Sequence, residues 1–404
     1  MSISLLYHAF GIRGYQYVRT NYTEGQVVFT ICQEPQTCRC SACGSGDVLS
    51  RGHVERRFRS LPIGGRTTSL VLPIPRVECR ACGLVRQVDV AFADPRRSFT
   101  KPFERYVLEL SRRMTIRDVA AHLNVGWDLV KEIQKRDLSR RYAKPKLKHL
   151  RHIAIDEIAV AKGHRYLTLV LDLDSGAVVF VGDGRGADAL KPFWKRLRPS
   201  GAQIKAVAMD MSAAYRPAVA THLKRATIVF DHFHVIKLFN DKLSELRRAV
   251  YREATDVMHK QVLKGTRWLL LKNPEHLDAE KDEKRRLEEA LTLNKPLATA
   301  YYLKEDLRRF WEQPGKRFAT AFLNDWLRRA EASGIKMLQQ MAKTLAAHRT
   351  GLLAYYDVMI TSGPMEGTNN KIKTMKRMAY GFRDHEFFKL KILAIHETRY
   401  ALVG

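Results

Sequence analysis

The sequence lacks an apolar run near the roughly 18 residues that cross a bilayer, and its N-terminal segment to Tyr17 is interrupted by His8, Arg13 and Gln16. Neither a membrane span nor a cleaved leader is expected, and the expectation is a soluble, unprocessed protein. Six cysteines in 404 residues are too few to staple the chain, which excludes a disulfide scaffold and points to a reducing compartment, the cytoplasm. No Gly-x-x-x-x-Gly-Lys-Ser/Thr loop occurs, so ATP is not an expected partner. Internal repeats and low-complexity segments are also absent. Acid is scarce: 42 Asp and Glu face 70 Lys and Arg, a formal net charge of +28. A field of that sign attracts polyanions and drives salt-dependent binding to phosphate backbones, which makes nucleic acid the expected partner over a ribosomal or membrane surface. With 45% hydrophobic residues the chain has cores for two or three domains.

What cysteine there is lies in a pattern. Cys40-Ser-Ala-Cys43-Gly44 and Cys79-Arg-Ala-Cys82-Gly83 are near-identical knuckles, with 35 residues between Cys43 and Cys79. Four thiolates in two such pairs are a structural Zn²⁺ site by spacing, and the glycines permit the tight turns that aim backbone N–H groups at sulfur. Cys32 and Cys38 are spare, although Cys38 lies close enough to Cys40 to compete as a ligand. Strand-like segments at Tyr15–Arg19 and Gln26–Cys32, and alternation over Thr67–Val77 as far as Pro73 and Pro75, complete a zinc-ribbon domain over residues 1–95.

Residues 100–139 read as a helix-turn-helix. Apolar residues recur at Ile116, Val119, Ala120, Leu123, Val125, Val130 and Ile133 about an Asn124-Val125-Gly126 turn, and Thr115 with Asp118 forms a capping signature. Trp127–Arg136 is then the helix offered to the major groove, with Trp127, Lys131, Lys135 and Arg136 as DNA contacts. Arg140–Arg151 is a basic interdomain linker containing one proline.

From His152 the pattern turns to strands. His152–Asp156 is short and apolar; Tyr166–Leu173 and Ala177–Val181 form a hairpin about Asp174-Ser175-Gly176; a helix follows near Ala187–Leu197; then come a strand at Ile204–Met209, a helix at Ser212–Leu223 and a strand at Thr227–Phe230. The order β-β-β-α-β-α-β predicts an RNase H-like mixed sheet within residues 152–404. Residues 235–358 carry only helical periodicity, such as Phe318, Phe322, Leu323, Trp326, Leu327 and Ala330, and predict an all-helical insertion. The fold class is therefore multidomain α/β.

Asp156 and Asp210 end the first and fourth strands of this sheet, which lie side by side in such a fold. A third acid, Glu366, follows Ser362-Gly363-Pro364, a helix start, and shares its face with Asn370, Lys373 and Arg377, which are read as DNA contacts. Three carboxylates are a minimal oxygen donor set for two hard cations, Mg²⁺ or Mn²⁺, in phosphodiester cleavage and rejoining. Glu157, Asp172, Asp174 and Asp183 are rival acids, the last three explained by turn chemistry.

The two knuckles, the helix-turn-helix, Ile155-Asp156-Glu157, Met209-Asp210-Met211-Ser212, Asp231-His232-Phe233-His234 and Glu366-Gly367-Thr368-Asn369-Asn370-Lys371-Ile372-Lys373 together resemble the bacterial insertion-sequence transposases of the IS-L-three family, across almost the whole chain. The resemblance implies a DDE transposase with Asp156, Asp210 and Glu366 as its triad. It also implies a helical insertion between the second Asp and the Glu, and a supporting role for His234 near the leaving strand. One departure is Asn124, where many relatives place glycine; Asn tolerates the left-handed conformation. The implied partners are double-stranded DNA at terminal inverted repeats and in the target, with a homodimer or larger assembly bringing two ends together at the nucleoid. Two other readings use the same residues: a zinc and helix-turn-helix regulator derived from such an enzyme, and a nuclease that cuts without joining.

Overall fold

A computed structural model of the chain describes residues 5–161, 163, 165–211 and 214–397, without the side chains of Ala161, Met258 and His259. Ser212, read above as part of a motif and as a helix start, lies outside the described residues. By its contacts the chain divides into two units. One comprises the described residues of Met1–Ala143 and Thr374–Gly404, the other Lys144–Lys373. No described helix is long and apolar enough to cross a membrane.

The first unit opens with helix α1 (Leu5–Phe10) and a five-stranded sheet: β1 (Tyr15–Thr23), β2 (Gln26–Gln33), β3 (Val48–Ile63), β4 (Arg66–Cys79) and β5 (Val85–Gln87), in the order β1-β2-β4-β3 with β5 also on β4. The long β3–β4 hairpin turns at Gly64-Gly65, both at positive φ (56° and 77°), the backbone twist that a two-residue hairpin turn requires. β4 runs straight through Pro73 and Pro75, where an end to the alternation was expected. The Pro75 carbonyl accepts from Val88, so its hydrogen-bonding side faces away from β3, past the end of the β2 pairing, and no donor to the β3 ladder is lost. Phe10, Tyr15, Phe29, Phe58 and Phe92 fill the core with edge-to-face contacts.

Three helices follow: α2 (Lys101–Leu110), α3 (Ile116–Leu123) and α4 (Trp127–Tyr142). The Thr115 hydroxyl caps α3 by accepting from the Asp118 N–H, and Asn124 closes it in the left-handed conformation (φ 49°, ψ 57°). Val119, Ala120, Leu123, Val130 and Ile133 are buried together, the helix-turn-helix register expected. α4 continues past Arg136 to Tyr142 and so takes in the first residues of the stretch read as linker.

The second unit is built on β6 (His152–Ala161), β7 (Arg165–Asp172), β8 (Val178–Asp183), β9 (Ala206–Met209) and β10 (Thr227–Phe230), in the order β10-β9-β6-β7-β8. β6 runs antiparallel to β7 and parallel to β9, and β9 parallel to β10. This is the mixed sheet expected from the element order, with α5 (Lys191–Leu197) and α6 (Arg216–His222) in its connections.

Helix α7 (His232–Glu253) then begins an all-helical stretch: α8 (Val257–Gly265), α9 (Arg267–Leu271), α10 (Glu283–Leu293), α11 (Lys295–Arg308), α12 (Lys316–Ala332), α13 (Lys336–Ala347), α14 (Arg349–Leu353) and α15 (Tyr355–Val358). Val235, Phe239 and Leu243, spaced four apart on α7, are fully buried, and the Phe239 ring lies edge-on to the buried Trp326, whose indole N–H donates to the Leu303 carbonyl. The buried stripe of α12 is Ala319, Leu323, Trp326 and Ala330; Phe318, expected on that face, is 60% exposed. At Gly351 an added Cβ would stand 2.3 Å from the Phe230 ring, so α14 lies against β10 only because the residue is glycine. The last helices are α16 (Gly363–Met378) and α17 (His385–Leu393), and α17 packs with α4 in the first unit through Leu138, Phe387 and Leu390.

Candidate functional site

The pairing of β6 with β9 stops at Ile155 against Met209. Asp156 and Asp210 are the next residue of each, so the two carboxylates leave neighbouring parallel strands at one level. Asp210 ends its strand as expected. Asp156 does not: β6 continues to Ala161 in its hairpin with β7, and what ends at Asp156 is the pairing with β9. Burial pushes the Asp156 carboxyl upward and the Asp210 charge adds to this, while the charge of His234, the Glu157 backbone N–H and the Asn369 amide oppose it. Acids held together against their own repulsion form a place where a cation is electrostatically favoured.

Three side chains frame the pair. His234, in the first turn of α7, places Nδ1 4.0 Å from Asp210 Oδ2. Asn369 donates from Nδ2 to Asp156 Oδ2 at 2.8 Å, and its Oδ1 is buried without a partner among the described residues. Asp231, only 2% exposed, accepts through Oδ1 from the Ser362 backbone N–H at 3.0 Å, tying the start of α16 to the end of β10. Glu366 sits four residues after Ser362 and three before Asn369. Both anchored positions are therefore one turn away, on its own side of the helix.

Glu366 is half-buried, while Asn370, Lys373 and Arg377 are exposed, and Met365, Thr368, Asn369, Ile372 and Met375 make the buried face. The three carboxylates are not drawn within the mutual distance of a single tight ligand shell, as the cysteines below are. Among the rival acids, Asp172 accepts from Ser175 and the Asp174 N–H in the turn, and Asp174 pairs with His152 at 2.8 Å. Glu157 is a nearer competitor: burial raises its carboxyl, a Tyr215 hydrogen bond opposes this, and Asp156 and Asp210 raise it further.

In the first unit Cys40, Cys43, Cys79 and Cys82 bring their sulfurs within 4.8 Å of one another. Cys40 and Cys82 lie 3.7 Å apart, Cys43 and Cys79 3.5 Å. Tetrahedral sulfurs at a Zn–S length of ~2.3 Å stand about 3.8 Å apart, so the donor set fits zinc and no pair is a disulfide. The knuckles repeat each other: Gly44 N–H donates to the Cys40 carbonyl and Gly83 N–H to that of Cys79, both at 2.8 Å with the glycine at positive φ. N–H groups of Cys43 and Ala42 hold the Cys40 thiol down to about 6. Cys38 is buried outside the cluster with its thiol pushed upward by that burial, which removes it as a competing ligand.

The helix read as DNA-facing is less free than its sequence suggests. Trp127 is 56% exposed, with the Lys131 ammonium 5.9 Å from its ring centroid. Yet Lys131 and Lys135 each pair with Asp384 at 3.1 Å, Lys135 also with Glu386, and Arg136 with Glu104 and Asp94. Asp384 caps α17 as well; the Phe387 N–H and then the two lysines hold its carboxyl down to about 2. Asp384→Ala is expected to cost about 1 kcal/mol through the lost cap. The measurement is a lower melting temperature with DNA affinity held or raised, because two lysines are released.

Three family models match in chain order: the zinc finger of transposases IS204/IS1001/IS1096/IS1165 over residues 36–82, the helix-turn-helix domain of transposase family ISL3 over 88–137, and the ISL3 transposase model over 153–392. The chain is 34% identical over 365 residues to the transposase for insertion sequence element IS1001 of Bordetella parapertussis, covering 88% of each. It is 29% identical over 394 residues to the transposase for element IS1557 of Mycobacterium tuberculosis, covering 91% of this chain and 87% of that one. Among solved structures, the Drosophila P element transposase strand transfer complex matches with a TM-score of 0.36 at 12% identity, over 66% of this chain and 80% of that one.

Proposed function

This chain belongs to the ISL3 family of transposases, and from that membership we propose that it acts on the terminal inverted repeats of its own insertion sequence, using Asp156, Asp210 and Glu366 as the DDE triad. It is a DNA-binding enzyme of DNA cleavage and strand transfer, and its zinc ribbon is a Zn²⁺ site. The observation that carries the triad is the emergence of Asp156 and Asp210 side by side where β6 and β9 part, with Asn369 tying the Glu366 helix to Asp156.

The three carboxylates would hold divalent cations, Mg²⁺ or Mn²⁺, and the mutual repulsion of the aspartates favours that charge. Bound cations would supply Lewis acidity to the attacking and leaving oxygens of an in-line displacement. Asp231 and Asn369 anchor the helix one turn to either side of Glu366, which would limit the movement its carboxylate needs to join the two aspartates around a cation. His234, with Nδ1 toward Asp210, leaves Nε2 for a phosphate oxygen of the leaving strand. Trp127–Arg136, Asn370, Lys373 and Arg377 contribute the DNA contacts, phosphate pairing giving affinity and base contacts giving site choice. The active assembly is a homodimer or larger, because two element ends must be held at once, and it works in the bacterial cytoplasm at the nucleoid.

The test is incubation of the purified protein with labelled DNA carrying the repeats that flank its own gene and a target plasmid, with Mg²⁺ or EDTA, beside Glu366→Gln. Cleaved and joined products are expected only for the unaltered protein with Mg²⁺. Tight end binding without chemistry would instead identify a regulator, and cleavage without joining a nuclease.

A further inference from the structure

The most exposed large hydrophobic side chain of the described residues is not on the recognition helix. Tyr380, 101% exposed, lies in the turn between α16 and α17. It holds a left-handed backbone (φ 50°), a conformation disfavoured for any residue with a Cβ, and its ring gains no packing in return. The turn is nevertheless well built. Tyr380 N–H donates to the Arg377 carbonyl and Gly381 N–H to that of Lys376, both at 3.0 Å. On its far side the Phe382 ring stacks on Phe388, 4.6 Å between centroids, and Asp384 is clamped by Lys131 and Lys135. The turn is thus fastened to α4, the helix that bears the exposed Trp127.

The charges complete the pattern. The cations of α4 are occupied by carboxylates, whereas Lys376, Arg377 and Arg383 have no carboxylate partner among the described residues; the Arg377 guanidinium reaches only the Thr374 hydroxyl, at 3.3 Å. A rigidly presented aromatic flanked by uncommitted cations has the chemistry of a base-stacking contact with phosphate pairing on either side.

We infer that the Arg377–Arg383 turn is a second DNA-contacting element beside the recognition helix, in which Tyr380 stacks on a base of bound DNA while Arg377 and Arg383 pair with the adjoining phosphates. This rests on the DNA-binding reading above. The base comes either from an unpaired end or from a kinked step of intact duplex.

The experiment uses full-length protein, a blunt duplex with a central 2-aminopurine, and the same duplex with a short 3′ tail bearing the fluorophore. Tyr380→Gly should weaken binding on the order of 5- to 100-fold. Its melting temperature should be no lower than that of the unaltered protein, because glycine relieves the left-handed strain. Tyr380→Phe should bind as the unaltered protein does, and Arg383→Ala should reduce the slope of log affinity against log salt by about 1. A Tyr380-dependent fluorescence change confined to the tail identifies an unpaired base, one in the blunt duplex a wedged step. Tyr380→Gly binding both probes within about twofold of the unaltered protein, far below the loss that stacking implies, would overturn the inference alone. Equal loss in Tyr380→Phe would overturn stacking in favour of the hydroxyl. An unaltered protein that binds neither probe would overturn the DNA-binding reading and this inference with it.

Discussion

Asp156→Asn is expected to reduce metal-dependent cleavage on the order of 10³-fold or more while changing affinity for the element's ends about twofold at most, because the proposed triad would lose a cation ligand and no phosphate contact. The substitution keeps the side chain's volume and an oxygen to accept from Asn369, so the fold has no cavity to absorb. Its effect on stability has a definite sign. Burial raises the Asp156 carboxyl above its ordinary value, with Asp210 adding to the shift. A carboxyl raised on folding favours the folded state at low pH, and that contribution is lost as pH rises above the ordinary carboxylate range near 4. Without divalent metal, Asp156→Asn should therefore melt no lower than the unaltered protein at neutral pH, and the difference should vanish in acid. Divalent metal should then raise the melting temperature of the unaltered protein and leave the variant nearly unmoved, since only a species that binds the cation is stabilised by it. Calorimetry with and without Mg²⁺ checks both halves. A variant that loses stability and end binding together would remove Asp156 from the triad.

Much of this arrangement was legible in the sequence for local reasons. Short apolar runs in the order β-β-β-α-β-α-β and the Asp174-Ser175-Gly176 turn name the sheet that carries Asp156 and Asp210, and Thr115 and Asn124 bound their helix by the chemistry of their own side chains. What was missed depends on partners far along the chain. The helical count from Glu366 selects Asn370 on the solvent side; that Asn369 instead meets Asp156 is decided by which face of α16 is covered by apolar residues. Lys131, Lys135 and Arg136 read as free cations because the acids that engage them, Asp384 and Glu386 from the C-terminal segment and Asp94 and Glu104 from the N-terminal one, come from other elements of the first unit. Asp156 reads as a strand end because the short apolar run Ile153–Ile155 stops there at two acids. The strand continues because β7, not β9, supplies its remaining partners.

Loss of zinc is expected to have the largest effect on folding. Apparent binding energies for structural zinc in small four-ligand sites are about 10–16 kcal/mol at neutral pH, on the order of the whole stability of a domain. Here the metal would join the knuckle preceding β3 to the one closing β4, and beyond them only the three-residue β5 continues the sheet. Apolar burial substitutes for it only in part: Val77 and Val88, with the partly buried Val48, extend the core to the knuckles, but Cys43 and Cys82 are exposed and the aromatic core lies toward the other end of the hairpin. Chelation, or Cys79→Ala, should therefore unravel residues 38–49 and 75–88 in hydrogen exchange and abolish end binding, while exchange protection of β6 and β9 persists. Cys38→Ala is the control that separates ligation from packing. It removes a buried thiol outside the cluster, so it should retain one zinc per chain and cost only the roughly 1 kcal/mol of an ordinary small core truncation. Retention of zinc by Cys79→Ala, or its loss from Cys38→Ala, would redraw the ligand set. End binding that survives complete zinc removal would leave DNA recognition to the helix-turn-helix and the surfaces beside it.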